Sequence, residues 1–255
     1  MPRFSLVCLV WLIAQTLVVS ATPQARADDP RGFVNRVHKD PASAESKYVV
    51  FVPHAYAAAE SAEKRWPVIM FLHGAGERGD DGQKQVTVGL GPAIRRREAQ
   101  FPFVAVFPQC LANGRWQAES PDGERAMAIL AEVEKEFRTD PDRVYLTGLS
   151  LGGMGTWSLG MKHPGRFAAL APICGRGDTS QAAAIAKLPI WCFHGDADRA
   201  VPVEGSRTMI AAVKEAGGSP RYSEFPYVGH NSWDPAYATG ELYTWLLEQK
   251  RKSNE

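Results

Sequence analysis

This sequence predicts an α/β fold: a mostly parallel central sheet with helices on both faces. Three observations point to it. Short apolar runs recur along the chain, as at 68–72 and 103–107. A run with no polar alternation suits a strand buried on both faces, as in a parallel sheet. Longer segments carry apolar residues at three- and four-residue steps, as at Ala126, Ile129, Leu130, Val133 and Phe137, with Glu and Lys opposite. The two kinds of segment alternate, which implies parallel strands joined by helical crossovers.

The elements follow in order. Met1-Pro2-Arg3 is positively charged, residues 4–21 are almost wholly apolar, and Ala25-Arg26-Ala27 places small residues at the −3 and −1 positions of a cleavage site. That pattern predicts a signal peptide over 1–27, cut after Ala27 with Ala21 as second choice. The protein is then secreted or periplasmic, with no membrane attachment once cleaved. A membrane anchor is the alternative, for which the run is of marginal length. Residues 28–46, polar and rich in turn formers, read as a loosely held leader. Strands are expected at 48–52 and 68–72; with no helix between them they should form an antiparallel edge. A strand at 103–107 precedes a helix over 123–137. A strand at 143–147 leads through a tight turn into a helix running from 153 towards 162. Strands at 167–173 and 190–193, a helix over 203–216 closed by Gly217-Gly218, a strand at 221–225 and a helix over 237–250 complete the pattern. The tail beyond Lys250 reads as frayed. Residues 28–255 suit one domain.

Without Arg3 and Arg26 the 29 basic residues fall to 27, against 28 acidic. That balance gives no reason to expect nucleic acid or an acidic membrane surface as a partner. Arg95-Arg96-Arg97, a basic run within a helix-like stretch, reads as a solvated helix face. Cys110, Cys174 and Cys192 lie beyond the signal segment, and an odd number leaves at least one thiol free. No spacing suggests a metal site, no cofactor is implied, and the oligomeric state is left open.

The chemistry centres on Gly148-Leu149-Ser150-Leu151-Gly152, between the strand at 143–147 and the following helix. Strand, G-x-S-x-G, helix is the setting of a nucleophile elbow, the α/β-hydrolase arrangement that lifts a serine clear of the sheet at the positive end of a helix. A serine hydroxyl needs a base, and the base needs a carboxylate to fix its tautomer. In that fold the acid and then the histidine follow the serine on later strands. Three histidines follow Ser150, and of these His194 and His230 lie at or after later strands, while His163 closes the helix that follows the serine. His194 leads directly into Gly195-Asp196-Ala197-Asp198, so the acid comes after it and His230 is left as the base. Asp198, one step further into the loop, is preferred over Asp196, which reads as a turn residue. For the oxyanion hole the N–H of Leu151 pairs with one from His73-Gly74-Ala75-Gly76-Glu77-Arg78-Gly79. Ala75 is the choice there, with Gly74 or Gly76 as alternatives. His73 reads as structural, and Glu77 with Arg78 as a local ion pair.

Together with Pro108-Gln109-Cys110, Val201-Pro202 and Gly229-His230-Asn231-Ser232-Trp233, these segments resemble the small secreted α/β-hydrolases related to poly(3-hydroxybutyrate) depolymerases, feruloyl and acetylxylan esterases and prolyl oligopeptidase catalytic domains. In that group the second aspartate of the His-Gly-Asp-x-Asp segment is the acid, which supports Asp198. The resemblance implies a secreted serine carboxylesterase working through an acyl-enzyme on a small-molecule or polymer-borne ester. The alternatives are a prolyl oligopeptidase-like peptidase and a polymer-directed feruloyl, acetylxylan or polyhydroxyalkanoate esterase. A binding protein without turnover is the reading from another class. The short stretch between 173 and Asp198 leaves no room for a large lid. Trp116, Trp157 and Trp233 are candidate walls of the cleft, and Gln109 a polar group pointing into it.

Overall fold

The computed structural model describes residues 30–39 and 45–251. The expected signal peptide, most of the tail and part of the expected leader lie outside them. Eight strands form one sheet in the order β1-β2-β4-β3-β5-β6-β7-β8. They are β1 (Gly32–His38), β2 (Ser46–Val52), β3 (Trp66–Leu72), β4 (Val104–Pro108), β5 (Thr139–Leu149), β6 (Ala169–Ile173), β7 (Trp191–Gly195) and β8 (Arg221–Phe225). From β4 to β8 every pairing is parallel, while β1–β2 and β2–β4 are antiparallel. The fold is that of the α/β-hydrolases.

Period-two alternation splits the core into two layers. Val50, Val68, Met70, Leu72, Val106 and Leu146 face α2 (Pro121–Glu136), α3 (Leu151–Lys162) and α4 (Glu204–Glu215). Val49, Phe51, Ile69, Phe71, Phe107 and Tyr145 face α1 (Leu90–Arg95), α5 (Trp233–Ala238) and α6 (Gly240–Glu248). Among the described residues no helix is long and apolar enough to cross a membrane.

Three expectations are corrected. Residues 32–38, expected to be leader, form β1 and pair with β2 along their whole length. Phe33 packs on Phe51 with ring centroids 5.1 Å apart, and Arg36 reaches Glu136 at 2.8 Å. An edge strand half open to water carries polar residues and so looks like a linker. Second, β2 pairs with β4, not β3, because β4 lies between them. Third, the last helix is two, broken at Thr239, whose backbone is extended. Arg95 lies over the Phe33 ring, while Arg97 stacks on Tyr243 and donates to the Ala238 carbonyl at 3.0 Å, so this run ties helices together as well as facing solvent.

The carboxyl ends of β3, β5, β7 and β8 open on the same side, and the loops that follow them carry Ala75, Ser150, Asp198 and His230 respectively. In a parallel sheet that end is where ligands meet the chain.

Candidate active site

Ser150 sits between β5 and α3 with φ 53° and ψ −114°, a region sparsely populated by any residue with a side chain. Its N–H donates to Ile173 O at 3.0 Å, and its own carbonyl accepts from Met154 N at 3.0 Å. The turn closes only because its flanks lack side chains: a β-carbon on Gly148 would strike the Gly152 carbonyl, and one on Gly152 the Leu72 carbonyl.

His230 Nε2 lies 2.9 Å from Ser150 Oγ, and its Nδ1 lies 2.7 Å from Asp198 Oδ2. A carboxylate only accepts, so Nδ1 carries the proton and Nε2 is free to take one from the serine. Asp198 Oδ1 accepts from the Ala200 and Val201 N–H groups at 2.8 and 2.9 Å, and Oδ2 also faces His194 Nε2 at 3.1 Å. Burial alone would push the Asp198 carboxyl up. The hydrogen bonds from His230 and the two amides outweigh it and hold the carboxyl below its ordinary range. Asp196 does separate work, its Oδ1 accepting from Tyr227 N at 2.6 Å and lacing the β7 loop to the β8 loop.

The loop after β3 runs beside the nucleophile. A β-carbon on Gly74 would lie 2.8 Å from Leu149 Cδ1 and 3.7 Å from Ser150 Cβ. Ala75 begins a 3-10 turn and Leu151 begins α3, so neither N–H has a helical acceptor. No partner for either is found among the described residues. Glu77 Oε2 lies buried near Gly74 with no hydrogen-bond partner among the described residues, and burial pushes its carboxyl up. Glu77 and Arg78 do not form the expected ion pair. Arg78 donates to the carbonyls of Ala75 at 3.1 Å and Gly114 at 3.3 Å, bracing the loop through its backbone. His73 is buried, its Nδ1 donating to Gly74 O at 2.7 Å and its Nε2 accepting from Cys110 N at 3.0 Å. Burial lowers it to about 4, so it stays neutral.

Of the expected cleft residues only Trp233 adjoins the relay, edge-on to His230 with centroids 5.4 Å apart. Trp116 and Trp157 are corrected: both are fully buried, Trp116 packed against His73 and donating to its carbonyl at 3.0 Å. Gln109 is corrected too. It is buried, accepting from Gly82 N at 2.7 Å and donating to Glu77 O at 3.1 Å and Asp81 Oδ1 at 3.3 Å. Its polar atoms are spent on the loop, so none points into a cleft. A cleft of about 600 Å³ instead lies between Gly79-Asp80 and the loop after β4, lined by Leu111, Ala112, Arg115 and Pro121. Nothing in residue type distinguished these residues beforehand.

Cys110, Cys174 and Cys192 are free and buried, and burial pushes each thiol up to about 12. Cys174, Asp198 and His230 are the one group of three metal-ligating side chains among the described residues, with ligand atoms within 4.8 Å of one another. Two of those atoms are already joined in the Asp198–His230 hydrogen bond.

Residues 40–236 match the dienelactone hydrolase family. The chain belongs to that family. A solved structure described as a thermostable esterase is 36% identical with a TM-score of 0.78, covering 86% of this chain and 63% of its own. SOBER1 of Arabidopsis thaliana, a carboxylesterase, is 26% identical over 64% of this chain and 82% of its own length. XynS20E of Neocallimastix patriciarum, a bifunctional acetylxylan esterase/xylanase, is 25% identical over 75% of this chain and 27% of its own. This chain spans half the length, or less, of the first two curated relatives it matches. A ferulic acid esterase structure at 18% identity and TM-score 0.66 shares the fold.

Proposed function

We propose that the protein is a serine carboxylesterase working through an acyl-enzyme. The observation that carries this is the relay of Ser150, His230 and Asp198 at 2.9 and 2.7 Å, beside two unengaged N–H groups. The family, with relatives described as esterases, supports the same reading. Ser150 Oγ attacks the ester carbonyl while His230 Nε2 takes its proton. The Ala75 and Leu151 N–H groups face the negative charge that forms on the carbonyl oxygen. His230 returns the proton to the leaving alcohol, and the ester C–O bond breaks. Water then attacks the acyl-enzyme with His230 again as base, releasing the acid. Asp198 keeps the proton on Nδ1 throughout and stabilises the imidazolium.

Residues 1–27 support export, which N-terminal sequencing of the mature protein tests. The activity is tested with p-nitrophenyl esters of rising chain length, methyl ferulate, acetylated xylan and a peptide amide, each with wild type and Ser150→Ala. Serine-dependent ester turnover is expected. Full activity in Ser150→Ala, or a preference for the amide, would sink the proposal.

A further inference from the structure

We infer that His194 is a positioning residue for this relay: a buried imidazole that holds Asp198 Oδ2 from behind and limits the share of its charge that reaches His230. The inference rests on the esterase reading above. His194 is the penultimate residue of β7, four residues before Asp198, and is fully buried. Its Nε2 lies 3.1 Å from Asp198 Oδ2 and 3.0 Å from Val201 O, two atoms that can only accept. Nε2 therefore carries a proton.

Its Nδ1 lies 2.7 Å from Ser206 Oγ, on α4. Ser206 has one proton and two acceptors in reach, that nitrogen and Gly175 O at 3.1 Å. Given to Nδ1, the proton leaves His194 neutral. Given to Gly175 O, it requires a second proton on the ring, which is then charged. In both states Nε2–H is shared between Asp198 Oδ2 and Val201 O. The carboxylate thus takes four N–H donors, two per oxygen, and cannot turn without breaking two of them.

The surrounding groups leave this role to His194. Cys192 on β7 reaches Ser206 Oγ at 3.3 Å. Cys174, after β6, has its sulfur within 4.8 Å of the Asp198 and His230 ligand atoms but is held protonated by burial. On β8, Glu224 is taken up by Arg207 at 2.6 Å and Tyr222 at 2.7 Å. Asp196 is engaged with the Tyr227 backbone.

Removing the Nε2–H has two consequences. Oδ2 loses one of its two donors, so Asp198 is held less firmly and the base is aimed less well. The carboxylate's charge also falls more fully on His230, which stabilises the imidazolium and moves the acid limb of the kcat/KM profile to higher pH. A side chain that merely fills space would move neither the limb nor the split between kcat and KM.

The test compares wild type with His194→Leu, which removes the donor, and His194→Gln, which keeps an N–H near the Nε2 position. Hydrolysis of p-nitrophenyl acetate is followed against pH, with Tm measured alongside. For His194→Leu we expect kcat to fall on the order of 10- to 100-fold, with KM held and the acid limb raised. His194→Gln should recover most of the kcat. Wild-type kcat and an unmoved limb in His194→Leu would overturn the inference, as would equal losses in the two variants. Should His194→Leu not fold, ¹⁵N NMR of the wild type and of Asp198→Asn decides. An Nε2 proton whose resonance shifts when Asp198 is replaced in Asp198→Asn supports the role, and a bare Nε2, or one unmoved by that substitution, refutes it. An absence of Ser150-dependent turnover in the wild type would refute the esterase reading instead, and the NMR result would still settle the His194 bond.

Discussion

Asp198→Asn changes one atom and tests the relay directly. The aspartate receives four N–H groups: His230 and His194 on Oδ2 at 2.7 and 3.1 Å, and the Ala200 and Val201 amides on Oδ1 at 2.8 and 2.9 Å. Asparagine has one accepting oxygen and one donating NH₂, so it can serve only one side. With its NH₂ turned to the backbone it meets two N–H groups that cannot give up their protons, each left unsatisfied at about 1–3 kcal/mol. The oxygen therefore faces the backbone and the NH₂ faces the imidazoles. His230 must then present a bare Nδ1, which places its proton on Nε2, against Ser150 Oγ. A base in that tautomer cannot accept from the serine. The expected loss in kcat/KM is on the order of 10⁴-fold, or about 5.4 kcal/mol. The assay is hydrolysis of p-nitrophenyl acetate at neutral pH, with circular dichroism to establish that the variant is folded. A folded variant within tenfold of wild type would refute the tautomer argument.

Other consequences follow from single positions. Ser150→Gly removes turnover yet relieves the positive φ at the elbow, so Tm should rise by the equivalent of about 1 kcal/mol; a lower Tm would count against stored strain. Gly152→Ala drives a methyl into the Leu72 carbonyl and should destabilise by about 1–3 kcal/mol in urea denaturation, with activity lost as β3 and α3 part. Gln109→Ala strips Gly82 N–H of its acceptor and frees the loop bearing Ala75; a loss of about 1–3 kcal/mol together with a lower kcat is expected, and unchanged values would show that the loop holds itself. Asp198 has a lowered pKa in the fold, so its ionised form contributes stability above the ordinary value of 3.8, lost as pH falls through the lower folded value. The Tm gap between wild type and Asp198→Asn should therefore be widest near neutrality and shrink in acid; a gap independent of pH would contradict that sign.

Much of the sheet could be read in advance, because strands buried on both faces leave unbroken apolar runs such as 68–72 and 103–107. β1 could not, since Asn35, Arg36 and Val37 turn partly to water at an edge and resemble a linker. The break at Thr239 escaped too, because Tyr237, Leu242 and Leu246 keep a nearly helical spacing across it. Trp116 and Trp157 show the limit on the site side. A tryptophan suits a cleft wall and a core equally well, and only the packing of α3 and the β4 loop against β3 decides between them.

The sequence by itself determined the alternation of elements, the glycine-flanked serine turn and the order of Ser150, Asp198 and His230 along the chain. These depend on local sterics and on periods of two and 3.6 residues, which any short window displays. Tertiary structure alone decided that Oδ2 of Asp198 is shared by two imidazoles 36 residues apart in the chain. It also decided that Gln109 and Arg78 brace the loop of Ala75. Those contacts join side chains from separate strands, and their distances exist only once the strands are laid side by side.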